Sequence, residues 1–476
     1  MQTERVIWLN PPQPTDAPCI LCGNTLGNEI VLQAAHWHAD YGYLNTAHCN
    51  QCGSAWFPDA QQHNVPYPST EIVLQDPNFI YLIYHYLEIV GGLDWKIGLL
   101  ERLPFSRFRS VLEVGCNAGV ALDYCRTAWG AEVVGLEPSA YGVMGARLLE
   151  TPILHRYMHE AEEIQGKTFD FIFATEVLEH VPEPLGFLQE LKSYLAPDGI
   201  VLLTTPRSGS LTPETPPGEL YAALSAGAHY FLLSPEKLAD LATQAGFAWS
   251  HIEPFGMTNV AVLADKPIDF SNSVLVSQRL QNYYQHRCAT PVEDARTHLG
   301  HLLNHYISSR SINHVVANDV MVLIRSGLTE QFGIDIDEPD EWLGNVLEAN
   351  HLVTYGKFMP YALPFYLYWL ARDLQATGDS KHYLELAQLL VAKGLATDFL
   401  SLFVYHRLFD QISEEMTDTL RAPGSIASRL HEMTAQLIVK IPELQLPAVA
   451  TPTHWLQRTK AKLLQAGSRF LRLNYD

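Results

Sequence analysis

From residue 110 to about 266, short apolar runs alternate with stretches in which apolar residues recur every three or four positions. The runs predict strands at Ser110–Val114, Glu132–Leu136, Phe169–Ala174 and Ile200–Thr204. Between them Leu185, Leu188, Leu191 and Leu195 share the helical spacing of the stretch Pro184 to Leu195. Strand and helix in alternation predict a parallel sheet covered on both faces. Two further runs, Ala248–Ile252 and Asn259–Ala264, are separated only by a short turn through Gly256 and predict an antiparallel hairpin closing that sheet. Beyond about residue 267 the strand signals stop, and long amphipathic patterns such as Tyr383 to Lys393 and Ala396 to Phe409 predict helices. Ahead of the alternating region lies a turn-rich stretch, Pro58 to Ser69, and before it two CxxC pairs. The expected division is therefore 1–60, a linker at 61–74, an α/β domain at 75–266, and an all-α C-terminal domain at 267–476.

Composition narrows the function classes. The chain has 476 residues, of which 47% are hydrophobic and 17% charged, so ordinary cores are available and disorder is excluded. Its formal charge of -21 repels phosphate backbones and disfavours nucleic acid as a partner. Pro11, Pro12 and Pro14 stand where a secretory signal would need its apolar run. The longest strongly apolar run, Tyr361 to Ala371, is shorter than the ~20 residues a membrane span requires. Seven cysteines without a secretory signal predict a reducing, cytoplasmic setting, where paired cysteines usually hold metal.

Those pairs, Cys19-Ile20-Leu21-Cys22-Gly23 and Cys49-Asn50-Gln51-Cys52-Gly53, place four thiolates for tetrahedral coordination and predict a structural zinc ribbon. His36, His38 and His48 lie between the pairs and offer alternative ligands. Disulfides or a redox pair are the competing reading. Cys116, Cys125 and Cys288 fit packing better than nucleophilic chemistry.

In the α/β region the first strand runs into Glu113-Val114-Gly115-Cys116-Asn117-Ala118-Gly119, followed by a helix over Val120–Ala128. Glycines there allow a tight turn and close backbone approach to a ligand. Glu137 ends the next strand, 22 positions after Gly115, placed to accept both hydroxyls of a ribose. With Gly115-x-x-x-Gly119 in place of GxGxxG, the sequence resembles the class I methyltransferases that use S-adenosylmethionine. VLEVGCNAG (111–119) looks like their first motif, GLEPS (135–139) their second, FDFIFATEVLEHV (169–181) their fourth strand and LAPDGIVLLTTP (195–206) their fifth. The resemblance implies a Rossmann-like seven-stranded methyltransferase sheet that binds S-adenosylmethionine. It implies cofactor contacts from Glu113, Gly115, Cys116, Asn117, Gly119, Glu137, Pro138 and Thr175, with Glu160 and Ala161 of HEAEE (159–163) beside the adenine.

Were a helical turn to start at Glu176, it would put Glu176 and Glu179 on one face with His180 beside them. With His229, before a helix over Pro235 to Gly246 capped by Ser234, these make a site suited to Mg2+ or another divalent cation. The E-x-x-E-H pattern with a distant histidine resembles the ubiquinone-biosynthesis O-methyltransferases and the metal-dependent methyltransferases of RNA 3′-terminal 2′-hydroxyls. A cation there would bind neighbouring hydroxyls and activate one of them. Without it, His180 or His229 is the candidate general base, with Glu179 as the third catalytic group. The expected reaction is O-methylation of a small molecule, sugar or glycan. The zinc-bearing sugar C-methyltransferases, which the layout also resembles, and RNA 2′-O-methylation are the alternatives.

The C-terminal helical region carries no motif. At its end, from Trp455 on, five basic residues face one acidic one, and Leu456, Leu463 and Phe470 recur every seven positions. Such a helix docks on its own acidic protein, on a partner, or on an anionic membrane surface.

Overall fold

Alternating strand and helix patterns leave each strand apolar on both faces, and the chain resolves that by layering. In the computed structural model, residues 5–438 are described apart from 66–68, 91–92, 271–274, 291, 311, 313, 375–379, 399–402 and 417–423. The basic segment from Trp455 lies outside the described residues. Four N-terminal strands, β1 (Val6–Thr15), β2 (Asn28–Ala35), β3 (Tyr43–His48) and β4 (Ala55–Trp56), form an antiparallel meander. There follow β5 (Ser110–Val114), β6 (Glu132–Leu136), β7 (Ile153–Leu154), β8 (Phe169–Thr175) and β9 (Leu195–Pro206). β10 (Phe231–Leu232), β11 (Trp249–Phe255) and β12 (Thr258–Ala264) complete the set.

The large sheet has seven strands in the order β11-β12-β9-β8-β5-β6-β7. β5 to β9 are parallel, and the β11–β12 hairpin closes the sheet antiparallel on β9. Val111, Leu112, Phe171, Ile172 and Phe173 are fully buried, as expected of central strands covered on both faces. One covering layer comes from the helices Pro184–Ser193 and Pro235–Gln244, whose Leu188, Leu191, Leu238, Leu241 and Ala242 meet Leu112, Ile172, Val201 and Leu263 in one core. Ser234 caps the second helix by accepting from Lys237 N at 3.1 Å. The chain visits β6 and β7 on one side of β5 and β8 and β9 on the other. The carboxyl ends of β5 and β8 therefore meet at a topological switch point, where α/β sheets bind ligands.

The chain folds as two compact units whose limits differ from the expected ones. The first joins residues 1–73, 100–146 and 150–272. The cysteine-bearing meander belongs to it because β10, from the far end of the chain segment, pairs antiparallel with β4. Cys19, Leu21, Ala47, Cys49 and Trp56 sit in the same hydrophobic core as Leu112, Ile172 and Val201. So small a segment cannot bury a core of its own, and it shares its neighbour's. Within 61–74, helices form at Ala60–His63 and Thr70–Gln75.

The second unit takes in residues 74–99, 147–149 and 273–476, and the elements formed by its described residues are helical. Residues 75–99 were expected with the sheet. A buried ion pair explains their place: Glu88 meets Arg296 Nε at 2.8 Å, and the Glu88 carboxylate also accepts from the Tyr361 and Ala362 amides. A carboxylate buried this deeply needs its partner, so its segment stays with the helices.

Candidate active site and metal centres

At the end of β5 the chain turns through Gly115 with φ +68°, where a Cβ would fall 2.5 Å from Val177 Cγ2. Only glycine permits this approach between the ends of β5 and β8. Gly115 N donates to Leu136 O at 2.8 Å, and Gly119 stands immediately before the helix Val120–Trp129. The Glu137 carboxylate faces this loop. Its Oε2 accepts from Asn117 N at 2.9 Å and its Oε1 from Ser139 N at 2.9 Å. Pro138 and Thr175 are half-buried at the same end of the sheet, and Cys116 is buried. The loop's glycine turn, the N-terminus of the helix and the facing carboxylate suit a cofactor with a ribose and an amino-acid group.

Two predicted contacts sit differently. Glu113 is wholly buried below the loop. Glu160 is exposed and folds back, its Oε2 accepting from Tyr157 N at 3.2 Å, while Ala161 beside it is buried. Glu160 therefore caps its own turn.

The carboxylates of the E-x-x-E-H stretch do not share a helical face. β8 ends at Thr175, Glu176 adopts a left-handed backbone at φ +56°, and a short 3-10 turn spans Leu178–His180. The bend sends the exposed Glu176 side chain to Thr258, whose Oγ1 donates to its Oε1 at 2.8 Å. Among the described residues, the group that gathers is Glu179, His180 and His229, with ligand atoms within 4.8 Å of one another. Glu176 lies outside it.

Each member of the trio is fixed from behind. Glu179 is fully buried, its Oε2 accepting from Thr205 Oγ1 at 2.9 Å. Its Oε1 accepts no hydrogen bond and lies 3.9 Å from both His180 Nε2 and His229 Nε2. The Nδ1 atoms of His180 and His229 lie 3.2 and 2.9 Å from the carbonyls of Ala228 and Ala223. A carbonyl only accepts, so each Nδ1 carries the hydrogen and each Nε2 presents a lone pair toward Glu179. Burial holds the Glu179 carboxyl well above the usual carboxylate range, with the nearby Glu176 charge adding to it. It pushes His180 down, and burial together with His180 pushes His229 well down. With Glu179 ionised, three lone-pair atoms would converge on one point, the arrangement that suits a divalent cation, and a cation bound there would displace the proton that burial favours on Glu179.

The four cysteines also gather. Cys19 Sγ lies 3.8 Å from Cys52 Sγ and Cys22 Sγ 3.5 Å from Cys49 Sγ. Thiolates at ~2.3 Å from a tetrahedral zinc stand at about that separation. The two knuckles match: Gly23 N donates to Cys19 O at 2.8 Å and Gly53 N to Cys49 O at 3.0 Å. A hydrogen bond from the Cys19 thiol pushes Cys52 down to about 4, while the same bond and burial push Cys19 up. Cys125 is fully buried and Cys288 partly so. His36 has its two ring nitrogens committed elsewhere, to His38 N at 2.8 Å and His63 O at 3.0 Å.

In the helical unit a cavity of ≈ 410 Å³ is lined by Arg325, Thr329, Asp335 and Asp337 among others. Its Arg325 and Asp337 are paired at 2.7 Å, and no residue singled out in the sequence lines it.

A family model described as "Methyltransferase domain" matches residues 94–252. The ubiquinone biosynthesis O-methyltransferase of Ruegeria pomeroyi is 31% identical over 182 residues, covering 35% of this chain and 69% of that protein. The chain belongs to the class I S-adenosylmethionine-dependent methyltransferases. The tRNA U34 carboxymethyltransferase of Idiomarina loihiensis is 32% identical over 164 residues, 32% of this methyltransferase and 50% of the relative. The first three curated relatives are spanned to 69%, 39% and 50% of their own length. The solved O-methyltransferase family protein of Burkholderia thailandensis is 12% identical at a TM-score of 0.35, covering 43% of this chain and 66% of that one. Among the described residues, no helix of the methyltransferase is long and apolar enough to cross a membrane.

Reasoning from sequence missed the groups that orient the trio. Thr205 lies in the quoted TTP of β9 and could have been found there. The carbonyls of Ala223 and Ala228 carry no side-chain signal at all.

Proposed function

We propose that the enzyme transfers the methyl group of S-adenosylmethionine to a hydroxyl oxygen of a small molecule, sugar or glycan, at the site made by Glu179, His180 and His229. The convergence of two imidazole lone pairs on the orphaned Glu179 Oε1 carries this reading. When bound, the cofactor supplies a methyl group on a positively charged sulfur. The turn at Gly115–Gly119 and the Glu137 carboxylate hold its amino-acid and ribose portions. Thr205 and the two carbonyls keep the trio aligned before the acceptor arrives, so little reorganisation is left for the reaction itself.

His180 is the more accessible imidazole, its side chain 31% exposed against 7% for His229. Where no cation is bound, burial keeps His180 neutral and its Nε2 takes the acceptor's proton. A divalent cation such as Mg2+ on these three side chains would lower the hydroxyl's pKa. The four cysteines would hold zinc with no open position, which would make that ion structural.

The relative named for tRNA U34 favours a second reading, an RNA acceptor, against which the charge of -21 stands. The test is a panel of catechols, vicinal-diol sugars and tRNA with methyl-labelled cofactor, with and without Mg2+. A methyl ether on a small diol is the expected product. Label on a sugar carbon or on tRNA alone overturns the reading.

A further inference from the structure

The turn Ala226–His229, which carries one of the two imidazoles, is gripped by the N-terminal meander. Trp37 N donates to Ala226 O at 3.0 Å and Trp37 Nε1 to Gly227 O at 3.1 Å. Val65 N reaches the same Gly227 oxygen at 3.1 Å. Asn64 Nδ2 donates to Ala228 O at 3.3 Å, the oxygen that also accepts from His180 Nδ1. On the other side of His229, Phe57 N donates to Tyr230 O at 3.1 Å, and β4 pairs with β10. Beyond β10, Ser234 Oγ donates to Cys52 O at 2.6 Å, directly on the second cysteine knuckle.

His36 closes the grip. Its ring bridges the hairpin tip to His63 and lies flat on Gly227, whose φ is +97° and where a Cβ would come within 2.0 Å of His36 Nε2. Glycine at 227 is what lets the ribbon come this close. The histidine that the sequence offers as a spare zinc ligand serves instead to press the ribbon on the turn.

We propose that the ribbon and the segment just after it form a positioning element of the methyl-transfer centre: Trp37, Asn64 and His36 fix the Ala226–Ala228 turn, and through it the tautomer of His180 on the Ala228 carbonyl and the placement of His229 at the end of the turn. The proposal rests on the reading of Glu179, His180 and His229 as the acceptor site. An imidazole presents its Nε2 lone pair only while Nδ1 keeps its hydrogen, and the carbonyl that secures this must itself be held still. The Ala228 carbonyl is held by Asn64, and its neighbour Gly227 by Trp37 and Val65. The same contacts link the zinc knuckles to the chemistry: loosening the ribbon loosens the imidazoles, while the cofactor loop at Gly115 takes no part.

The experiment uses the full, zinc-loaded chain with 15N-labelled histidine, comparing the native protein with Trp37→Phe/Asn64→Ala. Both positions are partly exposed, so the exchange removes two donors without emptying the core. In the native protein, long-range 15N–1H correlations are expected to show Nδ1–H on His180 and His229. In the variant the Nε2–H form of His180 is expected to appear, and Mn2+ affinity to fall ~10- to 100-fold. Bound zinc and S-adenosylmethionine affinity by calorimetry stay as in the native protein. Native tautomers in the variant overturn the proposal and leave the reading of the site standing. Native protein without Nδ1–H on both rings overturns site and proposal together. A tautomer shift in a protein that binds no Mn2+ upholds the proposal and removes only the cation. Should the double variant lose its fold, Asn64→Ala alone removes the donor on the Ala228 carbonyl and gives the same readout.

Discussion

The two metal-competent clusters are built from different materials. The cysteine set is four sulfurs wide, arises from two knuckles of the same local design, and sits in the core shared with the large sheet. A tetrahedral ion held by all four sulfurs would have no position left for a substrate. The Glu179–His180–His229 set has three donors from two distant chain segments, and His180 keeps a third of its side chain exposed. A closed set holds a fold together; an open one leaves room for an acceptor. The contrast teaches that ligand count separates structure from chemistry better than residue type does.

Stripping the closed site is expected to have the largest effect. Structural zinc contributes about 10–16 kcal/mol in small domains, so a strong chelator, or Cys49→Ser, should unfold the meander. Trp56 fluorescence and bound-zinc assay would register it, and an unaltered fold without zinc would break the comparison.

Next comes the open site. Glu179→Ala should lower turnover by ~10²- to 10⁴-fold while sparing cofactor affinity and melting temperature. Full turnover in that variant would remove the trio from the mechanism.

Gly115→Ala probes the cofactor side independently. The substitution strains a left-handed position and presses on Val177, at a cost of about 1–3 kcal/mol, so calorimetry should show weaker S-adenosylmethionine binding. Affinity unchanged from the native enzyme would place the cofactor elsewhere.

The smallest effect belongs to Glu176→Gln. The amide keeps the acceptor for Thr258 and removes only a like charge near Glu179, so stability should move by about 0.5 kcal/mol or less. The Glu179 carboxyl should titrate lower. A turnover loss as large as that of Glu179→Ala would return Glu176 to the set.

Much of the sheet was legible because its signals are local. Ser110–Val114 and Glu132–Leu136 form as the apolar runs predict, and β11–β12 closes the sheet as expected. Residues 75–99 were less legible: their pattern is helical, and long-range contacts such as the Glu88–Arg296 pair and the Tyr84–Asp294 hydrogen bond decide which core they join. Glu176 shows the limit most sharply. A spacing of three places two carboxylates on one face only if the backbone is helical, and the left-handed turn at Glu176 breaks that premise.

By itself the sequence determined the strand–helix alternation, the glycine turn after β5, the carboxylate after β6 and the paired cysteine knuckles. All of these depend on residues close together in the chain. Only the tertiary structure decided that Glu176 turns away, that Ala223 and Ala228 set the imidazole tautomers, and that His36 rests on Gly227. Backbone carbonyls are the same at every residue, and contacts across nearly two hundred positions leave no periodicity; such features exist only once the chain has folded.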